Sequence, residues 1–160
     1  MKKKNYIVVD INNKKDIFNK FNEKQISDGL AQYIITNAKK DFISKNVKLV
    51  IKQNVSLTTQ EQEKMVDAIR EYFGLLVREK ILYLRINNVK QIVLSILGIL
   101  LIIFSELLSM FFNYLIPELL LIAGWIVIWE ALESILFVDS KAKIDKRIYL
   151  KLSNCEIDFK

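Results

Sequence analysis

Two apolar runs lie side by side in the second half of this chain, and they restrict its fold more than any other feature. "IVLSILGILLIIFSELLSM" (Ile92–Met110) is 19 residues long with one charge, Glu106. "PELLLIAGWIVIWEALESILFV" (Pro117–Val138) follows with 22 residues. At the helical rise, 19 residues cover roughly 28 Å, close to the thickness of a bilayer's hydrocarbon core. A soluble protein would need far more chain to cover two such runs as core helices. The connection "FFNYLI" is short, so the spans form an antiparallel hairpin. Pro117 suits the first turn of a helix, and Glu118 suits its positive dipole end.

Charge sets the expected orientation. Arg78, Lys80, Arg85 and Lys90 precede the first span, and Lys141, Lys143, Lys146, Arg147 and Lys151 follow the second. The connection carries no Lys or Arg. The positive-inside rule then places both termini in the cytoplasm of a multi-pass protein of the cell membrane, with the lipid bilayer as its first partner. The opening "MKKKNYIVVDINNKK" is no signal peptide, because Asp10 ends a short apolar stretch. Before Lys90 there are 17 Lys and Arg against 10 Asp and Glu, and from Lys90 onward 7 against 8. The basic excess therefore belongs to the N-terminal part, as expected for a cytosolic domain beside a membrane. The abundance of Lys, Asn and Ile suggests a prokaryotic, AT-rich genome.

Residues 1–88 read as a cytosolic α/β domain. Tyr6–Ile11 ("YIVVDI") is β-branched and ends at a turn-type cluster, which predicts a strand. Leu30, Tyr33, Ile34 and Ala38 recur at helical spacing, predicting a helix over about 27–44 with Ser27 as N-cap. Val47–Lys52 ("VKLVIK") alternates and predicts a second strand, parallel to the first. Thr58 with Glu61, or Thr59 with Gln62, offers a capping box for a helix whose apolar face is Met65, Val66, Ile69, Phe73, Leu76 and Val77. Gly74 and Asn87–Asn88 are candidate breaks, and continuity into the first span is open. Residues 139–160 predict a short helix (Ala142, Ile144, Ile148, Leu152). A strand follows in "CEIDF", with Cys155, Ile157 and Phe159 on one side, and it is expected to join the N-terminal sheet. The expected fold class is thus an α+β membrane protein. Its small cytosolic α/β domain (β-α-β-α plus a C-terminal strand) carries an inserted two-helix transmembrane hairpin at 89–138.

Composition excludes much chemistry. Without histidine there is no Ser-His-Asp arrangement and no usual zinc ligand. Cys155 is the only cysteine, so no disulfide forms within the chain. No phosphate-binding loop is present, and Gly29 stands alone. We expect no enzyme, no cofactor, no resident metal and no nucleic-acid partner. Asp10 ends the first strand, where α/β domains often place ligands, although a strand-end cap has the same appearance. Lys39, Lys40, Lys45, Lys48 and Lys52, with Tyr33 and Phe42, form a basic set. It serves either as a contact for phosphate, nucleic acid, lipid headgroups or another anionic ligand, or as a solvated face.

The acids in the spans are the other candidates. Glu130 and Glu133 lie three apart, near one helix face. Three readings are open: anchoring at the interface beside Trp125 and Trp129, pairing with Lys90 (a Lys90–Glu133 contact would set the hairpin register), and a ring of acids around a cation path in an oligomer. Glu106, flanked by Ser105 and Ser109, either reaches the outer interface or faces a pore. Ser95, Gly98 and Ser105 are small or polar positions suited to helix contact, without a clean small-xxx-small pattern. A two-helix hairpin cannot enclose a path alone. The functional expectation is a homo-oligomer that couples a cytosolic sensing or binding domain to a hairpin forming or gating a pore. The alternative is a membrane-anchored scaffold or accessory subunit that recruits a cytosolic protein.

Overall fold

A computed structural model describes residues 5–40, 47–111 and 115–160. The chain is mixed α and β, mostly helical, with a small sheet and two long apolar helices. It divides into two compact units: Met1–Glu79 with Asp145–Lys160, and Lys80–Ile144.

The first unit is built on a three-stranded parallel sheet. Strand β1 (Asn5–Ile11) is followed by a two-stranded antiparallel ribbon, β2 (Phe18–Asn19) and β3 (Asn22–Ile26), then helix α1 (Asp28–Lys40) and strand β4 (Val47–Gln53). Helix α2 runs unbroken from Thr59 to Ser109. Near the C-terminus come helix α4 (Asp139–Ser153) and strand β5 (Glu156–Phe159). The sheet order is β1-β4-β5, with Ile7 opposite Leu49 and Leu49 opposite Ile157.

Central β4 buries Leu49, Val50 and Ile51 in succession. Simple alternation had placed Val50 with the polar residues. A central parallel strand covered on both faces buries a continuous run instead. Edge strand β1 does alternate, burying Ile7, Val9 and Ile11. Against these pack Ala31, Ile34 and Ala38 of α1, Met65, Ala68, Ile69 and Phe73 of α2, and Ile148 and Leu152 of α4. Phe73 is fully buried, edge-on to Tyr72 and stacked with Tyr149 at 6.5 Å between ring centroids.

Local signals hold at several element ends. Ser27 caps α1, its Oγ accepting from the Leu30 N–H. Of the two capping boxes offered for α2, Thr58 with Glu61 forms: Glu61 accepts from the Thr58 N–H at 2.8 Å, and Thr58 Oγ1 accepts from the Glu61 N–H at 3.3 Å. The β2–β3 ribbon was not expected. Its strands are short and polar, and "NEKQI" shows no period to read. Residues 41–44 of the predicted first helix, with Phe42 and Lys45, lie outside the described residues.

In the second unit, helix α3 (Leu115–Glu133) passes into a π-helical segment, Ser134–Val138, and then into the start of α4. The separate short helix expected after the second span is therefore joined to it. Neither Gly74 nor Asn87–Asn88 interrupts α2. Helical propensity costs of about 1 kcal/mol at a glycine are small against 51 residues of helix.

Candidate functional site

The interior of the hairpin is a seam of small residues at intervals of seven. Helix α2 buries Gln91, Gly98 and Ser105, and α3 buries Pro117, Gly124 and Ala131. Seven is the period that keeps one face of each helix on its partner. The backbones touch at the two glycines. A Cβ on Gly98 would stand 2.6 Å from Cγ1 of Ile128 and 3.0 Å from the Gly124 carbonyl oxygen. A Cβ on Gly124 would stand 2.7 Å from Cγ1 of Ile102 and 3.0 Å from the Gly98 carbonyl oxygen. Only glycine permits this approach. The seam was invisible in either helix alone, because Gly98 and Gly124 become partners only in the antiparallel pairing.

Ser105 closes the far end. Its hydroxyl donates to the Pro117 carbonyl at 2.6 Å, and the residue is buried. Ser105, one of the small or polar positions read from sequence as suited to helix contact, here bridges the two helices. Ser109 donates to the Glu106 carbonyl at 2.7 Å, which ties it to its own helix. The Glu106 side chain is exposed, as are Trp125 and Trp129.

The other end holds a polar cluster that sequence reasoning missed. Asn87 Nδ2 donates to Asp139 Oδ1 at 2.7 Å and to Ser134 Oγ at 3.0 Å. Gln91 Nε2 donates to the same Ser134 Oγ at 3.1 Å, so both its lone pairs are engaged. Asp139 and Gln91 are only 2% and 6% exposed. The π segment explains how Asp139 comes to be inside. Continuing the interval of seven from Ala131 reaches Val138, which is 40% exposed. One residue inserted by the π turn rotates everything beyond it by about 100° and brings Asp139 inward. The amides at Asn87 and Gln91, four apart on one face, were the available signal.

Lys90 does form an interhelical ion pair, but with a different partner than predicted. Its Nζ lies 3.0 Å from Oε1 of Glu130, not against Glu133. Glu133 is exposed and has no ion pair among the described residues. With Gly98 against Gly124 and Ser105 against Pro117, the register puts Lys90 level with Leu132, so depth favours neither acid; Glu130 flanks the seam beside buried Ala131, whereas Glu133, two residues past it, is turned nearly to the opposite side of the helix.

The basic set of the first unit is largely neutralised. Lys48 Nζ sits 2.5 Å from Asp158 and 3.5 Å from Glu156 across the β4–β5 ladder, and the Asp158 hydrogen bond raises its pKa. Lys39 pairs with Asp145 at 3.1 Å, and Lys52 lies 4.0 Å from Asp10, its neighbour in the β1–β4 register. Lys40 is exposed in the last turn of α1. Lys39, Lys48 and Lys52 thus pair with carboxylates of the same unit.

Burial pushes the Cys155 thiol up to about 11, which keeps it protonated and unreactive near neutrality. Among the described residues, no three His, Cys, Asp or Glu side chains come together to hold a metal. The hairpin interior can set register and pack helices. Comparison with known protein families, curated proteins and solved structures finds no match for this chain.

Proposed function

We propose that this is a two-span integral membrane protein with both termini in the cytoplasm. Residues 89–138 cross the bilayer as a hairpin, and the α/β unit acts as a cytosolic sensing or binding module. The hairpins assemble as a homo-oligomer that forms or gates a pathway. One observation carries the membrane assignment: in the most apolar window of each long helix, only 11% of residues are buried. A soluble core helix hides its apolar residues, whereas these helices present them outward and pack together through glycine, alanine and serine. That inversion suits a lipid solvent, in which close backbone packing replaces the hydrophobic drive.

The exposed acids Glu106, Glu130 and Glu133 support an assembly, since charge on a lipid-facing helix is costly unless it reaches the interface, water or a neighbour. Lys90 offsets Glu130 within one chain. The alternative, a membrane-anchored scaffold, needs the same hairpin but no pathway.

The test is reconstitution in lipid nanodiscs and planar bilayers. The expected result is extraction only with detergent, a mass of several chains per disc, and ion conductance that falls in Glu106→Gln and Glu130→Gln. Protein that stays monodisperse in buffer without detergent overturns the membrane assignment. A monomer under mild conditions overturns the pathway. Oligomers without conductance, indifferent to both substitutions, favour the scaffold.

A further inference from the structure

A cleft of about 710 Å³ opens in the first unit at the carboxyl end of β1. This is the edge of a parallel sheet at which open α/β folds bind small molecules, and the volume falls in the usual range for such ligands. Asp10, suggested by its strand-end position, lies on its wall.

The wall is held in place before any ligand arrives. The Ser27 hydroxyl donates to the Asp16 carbonyl, and the Ser27 N–H donates to the Ile17 carbonyl at 2.9 Å, which locks the start of α1 to the preceding turn. The Tyr33 hydroxyl donates to the Val8 carbonyl at 3.1 Å and fixes its ring at the cleft. At the tip of the β2–β3 ribbon, the Phe21 N–H donates to Asn19 Oδ1 at 2.9 Å. The Phe21 ring, also on the wall, is 86% exposed.

The chemistry of the lining is balanced. Asp10 is offset by Lys52, and the Lys20 ammonium lies 5.0 Å from the centroid of the Phe21 ring, which leaves Asp16 and Asp28 as acceptors and Lys15 as a donor. The N–H groups of Asp28 and Gly29, in the first turn of α1, add donors without intrahelical partners. A polyphosphate would meet the two carboxylates, and Asp28 already complements the α1 dipole. A purely apolar ligand would strip water from four charged side chains without replacing their hydrogen bonds. A planar heterocycle with hydroxyls satisfies both halves: its ring faces Phe21 and Tyr33, and its edge and sugar exchange hydrogen bonds with the carboxylates and amides.

We propose that this cleft binds an uncharged nucleoside, which makes it the ligand site of the sensing module; the assignment rests on reading the α/β unit as that module. Gly29 offers a clean probe. No atom lies within 4 Å of where its Cβ would be, its φ is not positive, and it sits in a helix. A larger residue there fills the cleft while improving helix propensity.

The experiment is calorimetric titration of the full chain in nanodiscs with adenosine, guanosine, cytidine and uridine in turn. ATP, tryptophan and inorganic phosphate serve as comparators. The expected result is saturable binding of at least one nucleoside at one per chain, tighter than any comparator. Phe21→Ala should weaken it about tenfold, the scale of one lost aromatic–base stack. Gly29→Leu should abolish it with the thermal midpoint unchanged or raised. The proposal is overturned if no nucleoside binds saturably, if ATP, tryptophan or phosphate binds more tightly, or if binding survives Gly29→Leu. The mass of the same nanodiscs reports separately on the membrane assembly, so the two proposals fail independently.

Discussion

The two units solve opposite packing problems. The α/β unit buries large side chains, with Phe73, Ile69, Ile51, Leu49 and Met65 at its centre and charged residues such as Lys52 and Arg70 outside. The hairpin buries Gly98, Gly124, Ala131, Ser105, Gln91 and Asp139, and turns Ile, Leu, Phe and Trp outward. In water, removing apolar area is the main driving force, at roughly 25 cal/mol per Å². Where the surroundings are themselves apolar, that term vanishes, and close backbone contact and interhelical hydrogen bonds take over. On the membrane reading proposed above, a small and polar interior suits an apolar solvent as a large apolar interior suits water.

The contrast is broken most severely at Phe73. Phe73→Ala removes a fully buried ring and is expected to cost the α/β unit about 3–5 kcal/mol, read by chemical denaturation in nanodiscs. Hydrogen exchange should place the loss in the sheet and leave protection in the hairpin intact. Equal loss of protection in both would show that the two packings are not independent.

Glycine sharpens the comparison, because the same substitution has opposite signs in the two units. Gly98→Ala forces a methyl against Ile128 and the Gly124 carbonyl and is expected to cost about 1–3 kcal/mol. Disulfide trapping between cysteines placed across the seam should slow as the helices separate. Gly74→Ala meets nothing within 4 Å and should stabilise the α/β unit by about 1 kcal/mol through helix propensity. A stabilising Gly98→Ala would refute the seam.

The smallest effect is electrostatic. Glu61 is held down to about 2 by Lys14 and by the Thr58 backbone N–H. A carboxylate whose folded pKa lies below its unfolded value adds stability above the unfolded value, and that stability is lost as pH falls through the folded one. The window is therefore from about 4.5 down to about 2. Glu61→Gln should flatten the fall in thermal midpoint across that window and leave neutral stability nearly unchanged, as expected for an exposed pair. An unaltered acid limb would remove Glu61 from the account.

Much of this was legible in residue order. The β-branched run at Tyr6–Ile11, the alternation at Val47–Lys52, the Thr58–Glu61 box and the tail strand near Cys155 are local patterns, and local patterns encode local backbone. The lengths of the two apolar runs likewise set the two long helices. Other features needed a partner from far along the chain. The Lys90 partner is Glu130 because Glu130 flanks the seam and Glu133 is turned away from it, and no spacing within either helix specifies which face is the seam. Lys39 and Lys48 find carboxylate partners because Asp145, Glu156 and Asp158 arrive from the other end of the sequence. The ribbon at Phe18–Ile26 went unread because polar two- and five-residue strands carry no period.

Sequence alone determined the types of the longer elements, the parallel pair of β1 and β4 and the presence of two long apolar helices. Periodicity, caps and run length act over a few residues. Tertiary structure alone decided which face of each apolar helix is the seam, that a π turn replaces Val138 with Asp139 inside it, and which lysines are already paired. Those outcomes depend on contacts between residues tens of positions apart. Their energies come from close packing and hydrogen bonding across helices, which no single stretch of sequence contains.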